Sequence, residues 1–146
     1  MTIVYPGIGG KPLIVACAKC VLSDLAWHVP MLLDTGADSS CFPAHMAGSF
    51  DHDNLHPDVV RLKNEVHGIG GTSDAFIHSV CVGLIHPSKS TRQKTVLAWQ
   101  SPIEKTQFVE KMDCKHGLIG MDIMRQWKQV KFERYKKSGI LISITF

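Results

Sequence analysis

No stretch of the sequence approaches roughly 18 uninterrupted apolar residues, so no membrane-spanning helix is expected. The first residues, Met1-Thr2-Ile3-Val4-Tyr5-Pro6-Gly7, lack the basic start and apolar run of a secretory signal. Charge of one sign is scarce: 16 Lys and Arg face 13 Asp and Glu, and a net +3 is too small an excess to point to nucleic acid. Five cysteines, an odd number, close no disulfide framework. With no export signal, reduced thiols and a cytoplasmic location are expected. There is no low-complexity tract or linker. His67-Gly68-Ile69-Gly70-Gly71 and His116-Gly117-Leu118-Ile119-Gly120 look alike, but five residues are too few to make a repeat.

What remains is an ordinary globular balance, 45% hydrophobic and 20% charged over 146 residues. That suits a single domain spanning residues 1–146 with a core of its own. Gly, Pro and Asx clusters cut the chain into short apolar runs. Residues 13–18, 31–33, 94–100, 130–135 and 140–146 read as strands. Residues 59–66 and 75–84 flank a glycine-rich tip and read as a β-hairpin. Residues 43–47 have room for one helical turn, and Asp122 is a candidate N-cap for a short helix over 123–127. Residues 101–115 give no clear pattern. The fold class is all-β with one short helix near the C-terminus.

The sharpest feature is Met31-Leu32-Leu33-Asp34-Thr35-Gly36-Ala37-Asp38-Ser39-Ser40. A carboxylate directly after a fully apolar strand is physically odd, because Asp disfavours both strands and unpartnered burial. Gly36 lets the backbone turn at once, and Thr35 sets a hydroxyl beside the acid. This pattern suggests a carboxylate held rigidly at the mouth of a sheet. A bare Asp-Thr-Gly arises by chance in roughly 3% of chains this long, so its context carries the reading.

Leu32-Leu33-Asp34-Thr35-Gly36-Ala37-Asp38 resembles the active-site motif of retropepsin-like aspartic proteases, the single-domain retroviral type. Val66-His67-Gly68-Ile69-Gly70-Gly71-Thr72 is similar to their glycine-rich flap tip. Gly117-Leu118-Ile119-Gly120-Met121-Asp122-Ile123-Met124 is similar to the apolar-apolar-Gly strand and C-terminal helix that follow. The resemblance implies a small closed β-barrel-like domain with a flap hairpin, and an aspartic endopeptidase. Two carboxylates about 3 Å apart would share one proton and activate a water between them. The chain has a single Asp-Thr-Gly and no Asp-Ser-Gly, so the second acid would come from a second copy. A symmetric homodimer follows, with Asp34 on its two-fold axis. By the same resemblance, Asp34, Thr35 and Gly36 form the catalytic loop: Thr35 braces the dimer, and Gly36 offers its carbonyl to substrate. Ala37 and Asp38 line the cleft, with Asp38 on the peptide main chain. Gly68, Ile69, Gly70 and Gly71 close over a protein or peptide substrate, with Ile69 as the apolar contact. Gly120 permits close packing under the loop. One departure is Met121, where retroviral relatives carry an Arg that pairs with the acid matched by Asp38; Arg125 is the candidate substitute.

Two other classes were weighed. One is a dimeric retropepsin-fold binding module with little or no proteolytic activity. The other is a basic β-domain contacting nucleic acid through Lys128, Lys131, Arg134, Lys136 and Lys137, which read more simply as a solvated hairpin face. No cofactor and no metal are expected. Cys17-Ala18-Lys19-Cys20 has no second ligand pair at a matching distance, and His52 and His56 fall in a polar segment that reads as a solvated loop. Gly68-Ile69-Gly70-Gly71 lacks the Lys-Ser or Lys-Thr of a phosphate loop. Cys41 reads as a small buried apolar residue.

Overall fold

Short apolar runs between residues 13 and 119 build strands that wrap into a closed ring. The computed structural model describes residues 1–23, 25–68 and 71–146. In chain order the strands are β1 (Thr2–Pro6), β2 (Leu13–Cys20), β3 (Ala26–Leu33), β4 (Cys41–Pro43), β5 (Val60–Gly68), β6 (Gly71–Ile85), β7 (Leu97–Gln100), β8 (Glu104–Val109), β9 (Gly117–Ile119), β10 (Gln129–Tyr135) and β11 (Gly139–Thr145). A single-turn helix, α1 (Met121–Met124), follows β9, and a 3₁₀ segment, Ala44–Phe50, follows β4. Strands β2, β3, β9, β4, β8 and β6 pair in that order, and β2 pairs again with β6 to close the ring. The pairs β3–β9 and β4–β8 are parallel; the other ring pairs are antiparallel. Strands β5 and β7 extend from β6.

The terminal strands form a separate sheet, β1-β11-β10. Its inner face is set by period-two alternation: Ile3 lies opposite Ile144 and Tyr5 opposite Ile142, all four buried. The Tyr5 hydroxyl donates to the Ile85 carbonyl at 2.9 Å, joining this sheet to the end of β6. Burial pushes the Tyr5 phenol up to about 12.

The ring encloses Phe42, Phe50 and Phe108, each fully buried. Phe42 stacks on Phe108 at 5.1 Å, and Phe50 meets both edge-on at 5.2 and 5.4 Å. His78 of β6 packs on the Phe108 ring at 4.4 Å. These contacts bind the 3₁₀ segment to the neighbouring strands β4 and β8.

The structure differs from the sequence reading in several places. Residues 101–115 contain β8, whose Glu104-Lys105-Thr106-Gln107 start hides it, because only Thr106, Phe108 and Val109 turn inward. Strand β3 begins at Ala26 and runs through Pro30. It gains its second neighbour, β9, only from Met31 onward, so the missing Pro30 N–H costs no ladder bond on that side. Strand β7 is limited to Leu97–Gln100. Asp122 is not the helix cap; that position is Gly120, and Asp122 lies in the first turn. His56 is solvated as expected, but His52 is not: it is 6% exposed. The basic residues of β10 and the following turn are exposed, as a solvated hairpin face requires.

Phe108→Ala removes a ring that packs against three others, Phe42, Phe50 and His78. A loss of about 3–5 kcal/mol in unfolding free energy is expected, read by urea denaturation at fixed protein concentration.

Candidate active site

The parallel strands β3 and β9 end level with each other, Leu33 opposite Ile119. Both chains then leave the sheet and bind each other. The Asp34 amide donates to the Ile119 carbonyl at 3.0 Å. The amides of Met121 and Asp122 donate to the carbonyls of Ala37 and Asp38 at 2.8 and 3.0 Å. This approach requires a glycine at position 120. A Cβ there would lie 2.6 Å from the Ser39 carbonyl carbon and 2.9 Å from the Ala37 oxygen. The expected packing role of Gly120 is therefore seen in the geometry.

Within the loop, the Gly36 amide donates to Asp34 Oδ1 at 2.9 Å, and the Ala37 amide to the Asp34 carbonyl at 3.2 Å. Asp34 is half-buried, as is Ala37; Thr35, Gly36 and Asp38 are exposed. One carboxylate oxygen of Asp34 is thus fixed by a backbone donor, while Oδ2 makes no hydrogen bond among the described residues. The Thr35 hydroxyl likewise has no partner within the chain among the described residues. An acid in this setting has a set orientation and a free oxygen with which to accept or share a proton.

A second carboxylate locks the loop from behind. Asp122 Oδ2 accepts the Ser40 amide at 2.8 Å, and Oδ1 accepts the Ser40 hydroxyl at 2.7 Å. Ser40 Oγ in turn accepts the Gly120 amide at 2.9 Å. Ser40 is 4% exposed. The Asp122–Ser40–Gly120 chain ties the end of the loop to the helix without a cation. Arg125 is exposed and, among the described residues, forms no ion pair with Asp38. Neither Ser40 nor this role of Asp122 was read from the sequence. The signal is position alone: Asp122 lies within the matched 117–124 segment, and Ser40 lies two residues past the 32–38 motif.

Cys41, next in the chain, is buried against Met112 Sδ at 3.7 Å. Burial above all, then the nearby Cys114, Asp122 and Asp34, pushes its thiol up to about 12, so it stays protonated.

The β5–β6 hairpin carries the other predicted residues. Gly68 pairs with Gly71, which takes a positive φ of 100°. Ile69 and Gly70 lie outside the described residues. Among the described residues, no hydrogen bond joins Gly68 or Gly71 to the Asp34 loop. The hairpin is braced at Asp74, whose Oδ1 accepts the amide of bulged Asn64 and whose Oδ2 accepts Arg61, both at 2.8 Å. The Asn64 bond first, then Arg61, holds the Asp74 carboxyl below its ordinary value. Its stabilising effect is present above the unfolded value of 3.8 and is lost as pH falls through the lower folded one. From the other side the Glu110 amide donates to the Asp74 carbonyl, Lys111 N to Ser73 Oγ, and Lys111 Nζ to the Thr72 carbonyl.

The fold is similar to that of solved proteases. EIAV protease, in its complex with the inhibitor HBY-793, superposes with a TM-score of 0.52 at 16% identity over 82% of this chain and 89% of that one. A retropepsin-like aspartic protease from Rickettsia conorii gives 0.54 at 13% identity over 98% of this chain and 90% of that one. No protein-family model matches the sequence, and no curated protein matches it. The chain has the all-β, retropepsin-like fold. Among the described residues no helix is long and apolar enough to cross a membrane.

Ser40→Ala leaves the Gly120 amide unpaired in a buried position, and a loss of about 1–3 kcal/mol in urea unfolding is expected. Gly120→Ala overpacks the same spot and is expected to cost a similar 1–3 kcal/mol or about that. Adding the two changes together should fall short of their sum, because both act on one contact.

Proposed function

We propose that this protein is an aspartic endopeptidase, active as a homodimer in which two Asp34 carboxylates hold the attacking water. The observation that carries the reading is Asp34 itself: half-exposed at the end of β3, oriented by the Gly36 amide at 2.9 Å, within a retropepsin-like fold. One carboxylate acts as general base on the water and the other as general acid toward the leaving amine. The pair titrates as a unit.

The remaining roles follow the positions of the loop residues. Thr35, exposed and without a partner in its own chain among the described residues, hydrogen-bonds the partner copy and steadies the paired loops. Gly36 presents its carbonyl, Ala37 walls the cleft and Asp38 binds the peptide main chain. Gly68, Ile69, Gly70 and Gly71 cover an extended substrate, which adds to the hairpin as a strand. No metal takes part in this hydrolysis, and neither a membrane nor a nucleic acid is a partner. All five thiols are free, which supports a reducing, cytoplasmic setting for a single-domain enzyme.

Asp34→Asn should lower peptide cleavage at least about 100-fold while leaving the fold intact by circular dichroism; retained full activity overturns the assignment. Activity should peak on the acidic side of neutral and fall as the shared proton is lost at higher pH. An alkaline optimum contradicts it. A statine-type inhibitor should bind the wild type and not Asp34→Asn. A dimer that ignores the inhibitor and cleaves nothing is the binding module instead.

A further inference from the structure

We infer that Cys20, His52 and His78 form a binding site for a zinc-like divalent cation, apart from the Asp34 loop. The three come from separate parts of the chain: the last residue of β2, the segment after the 3₁₀ turn, and the middle of β6. All are buried, at 0%, 6% and 2% exposure, and one ligand atom from each falls within 4.8 Å of the others. His52 Nδ1 lies 2.7 Å from His78 Nδ1 and 3.1 Å from Cys20 Sγ.

The proton inventory of this cluster does not close by hydrogen bonding alone. Asn54 Nδ2 donates to the Ala44 carbonyl at 3.0 Å, which turns Asn54 Oδ1 toward His78. His78 Nε2, 2.8 Å from that oxygen, must therefore be the donor. A neutral ring that donates through Nε2 carries its lone pair on Nδ1, which faces His52. If His52 Nδ1 bears the proton, it satisfies His78, but His52 Nε2 is left as a buried acceptor with no partner. If His52 Nε2 bears it, a buried donor has no acceptor, and two lone pairs face each other at 2.7 Å. Either tautomer leaves a polar group uncompensated in the interior, which costs about 1–3 kcal/mol.

A cation among Nδ1, Nδ1 and Sγ removes the clash of facing lone pairs, while the His52 Nε2–H keeps no acceptor among the described residues. Two imidazoles and a thiolate are the donor set of Zn²⁺ rather than of Mg²⁺ or Ca²⁺. Tetrahedral Zn²⁺ places N···N at about 3.3 Å and N···S at about 3.6 Å, so the two pairs that share His52 must each spread by about 0.5 to 0.6 Å. The Cys20 thiol proton leaves to solvent on binding. Asn54 plays the supporting part usual for a ligating histidine, holding the far ring nitrogen of His78. An open cavity of about 650 Å³, lined by His45, Asp51, His52, Asp53, Asn54 and His56, borders the cluster at His52. Cys17 is excluded: three residues from Cys20 along a strand, it faces the opposite side. This site departs from the sequence expectation of no metal, because His78 and Asn54 carry no local motif.

The test uses the full chain, stripped with a chelator under reducing conditions and titrated with Co²⁺ and Zn²⁺. One equivalent per chain is expected, with a thiolate-to-cobalt charge-transfer band, tetrahedral visible bands, and displacement by Zn²⁺. Zn²⁺ should raise the thermal midpoint. Cys20→Ser should lose the charge-transfer band and Cys17→Ser should keep it. Asn54→Ala should weaken Zn²⁺ binding about 10- to 100-fold. X-ray absorption on the Zn²⁺-loaded wild type needs no variant to fold, and should read one sulfur and two imidazole nitrogens. A folded wild type that gives no band, a band that survives in Cys20→Ser, or a shell with no sulfur or several, overturns the site. Peptidase activity is not a readout, so the result stands independently of the role of Asp34.

Discussion

The Asp34 loop is as rigid as its attachment to the segment after β9, and that attachment depends on an absent side chain. Gly120 allows the two backbones to meet at distances that no Cβ permits. Four amide bonds, from Asp34, Met121, Asp122 and Gly120, then cross between the segments or reach Ser40. The acid at the end of β3 inherits its orientation from this junction. Parallel pairing of β3 with β9 supplies the alignment, since both strands deliver their ends to the same level of the ring.

The same junction explains how the chain manages with Met121 in place of a cation. Asp122 accepts two bonds from Ser40 and so anchors the loop through a buried hydroxyl. A charge-assisted bond to a neutral partner is less open to salt screening than an exposed ion pair. The anchor also leaves Asp38 without an ionic partner among the described residues, exposed beside the loop.

Legibility followed the range of the forces involved. Asp34 and its neighbours were readable because a charged residue after an apolar strand, followed by glycine, conflicts with local propensity. The long hairpin and the C-terminal strand pair were readable because alternation repeats over many residues. β8 was hidden because its solvent-facing side is charged and its first half is polar. β9 is only three residues long and is defined by its neighbours. The cluster of Cys20, His52 and His78 was invisible for a different reason. Its members are 32 and 26 residues apart, and ring closure alone brings them together. His52 reads as solvated from its Asp-rich surroundings, yet Phe50 and Phe108 draw that stretch inward.

Strand β6 bears on how the hairpin can bend. From Ala75 to Val80 it is flanked by β8, and its second half is flanked by β2 and β7. Ahead of Ala75 its ladder partner among the described residues is β5 alone. This arm, residues 71–74, spans about 13 Å and is tied to the wall through Glu110 and Lys111. Its fulcrum falls at Ala75 on one strand and at the Asn64 bulge on the other, with Asp74 as the pin between them. Lys111 acts as a latch on the same arm through Thr72 and Ser73. Swinging the arm away from the barrel wall therefore means unfastening Lys111, while the wall itself stays still.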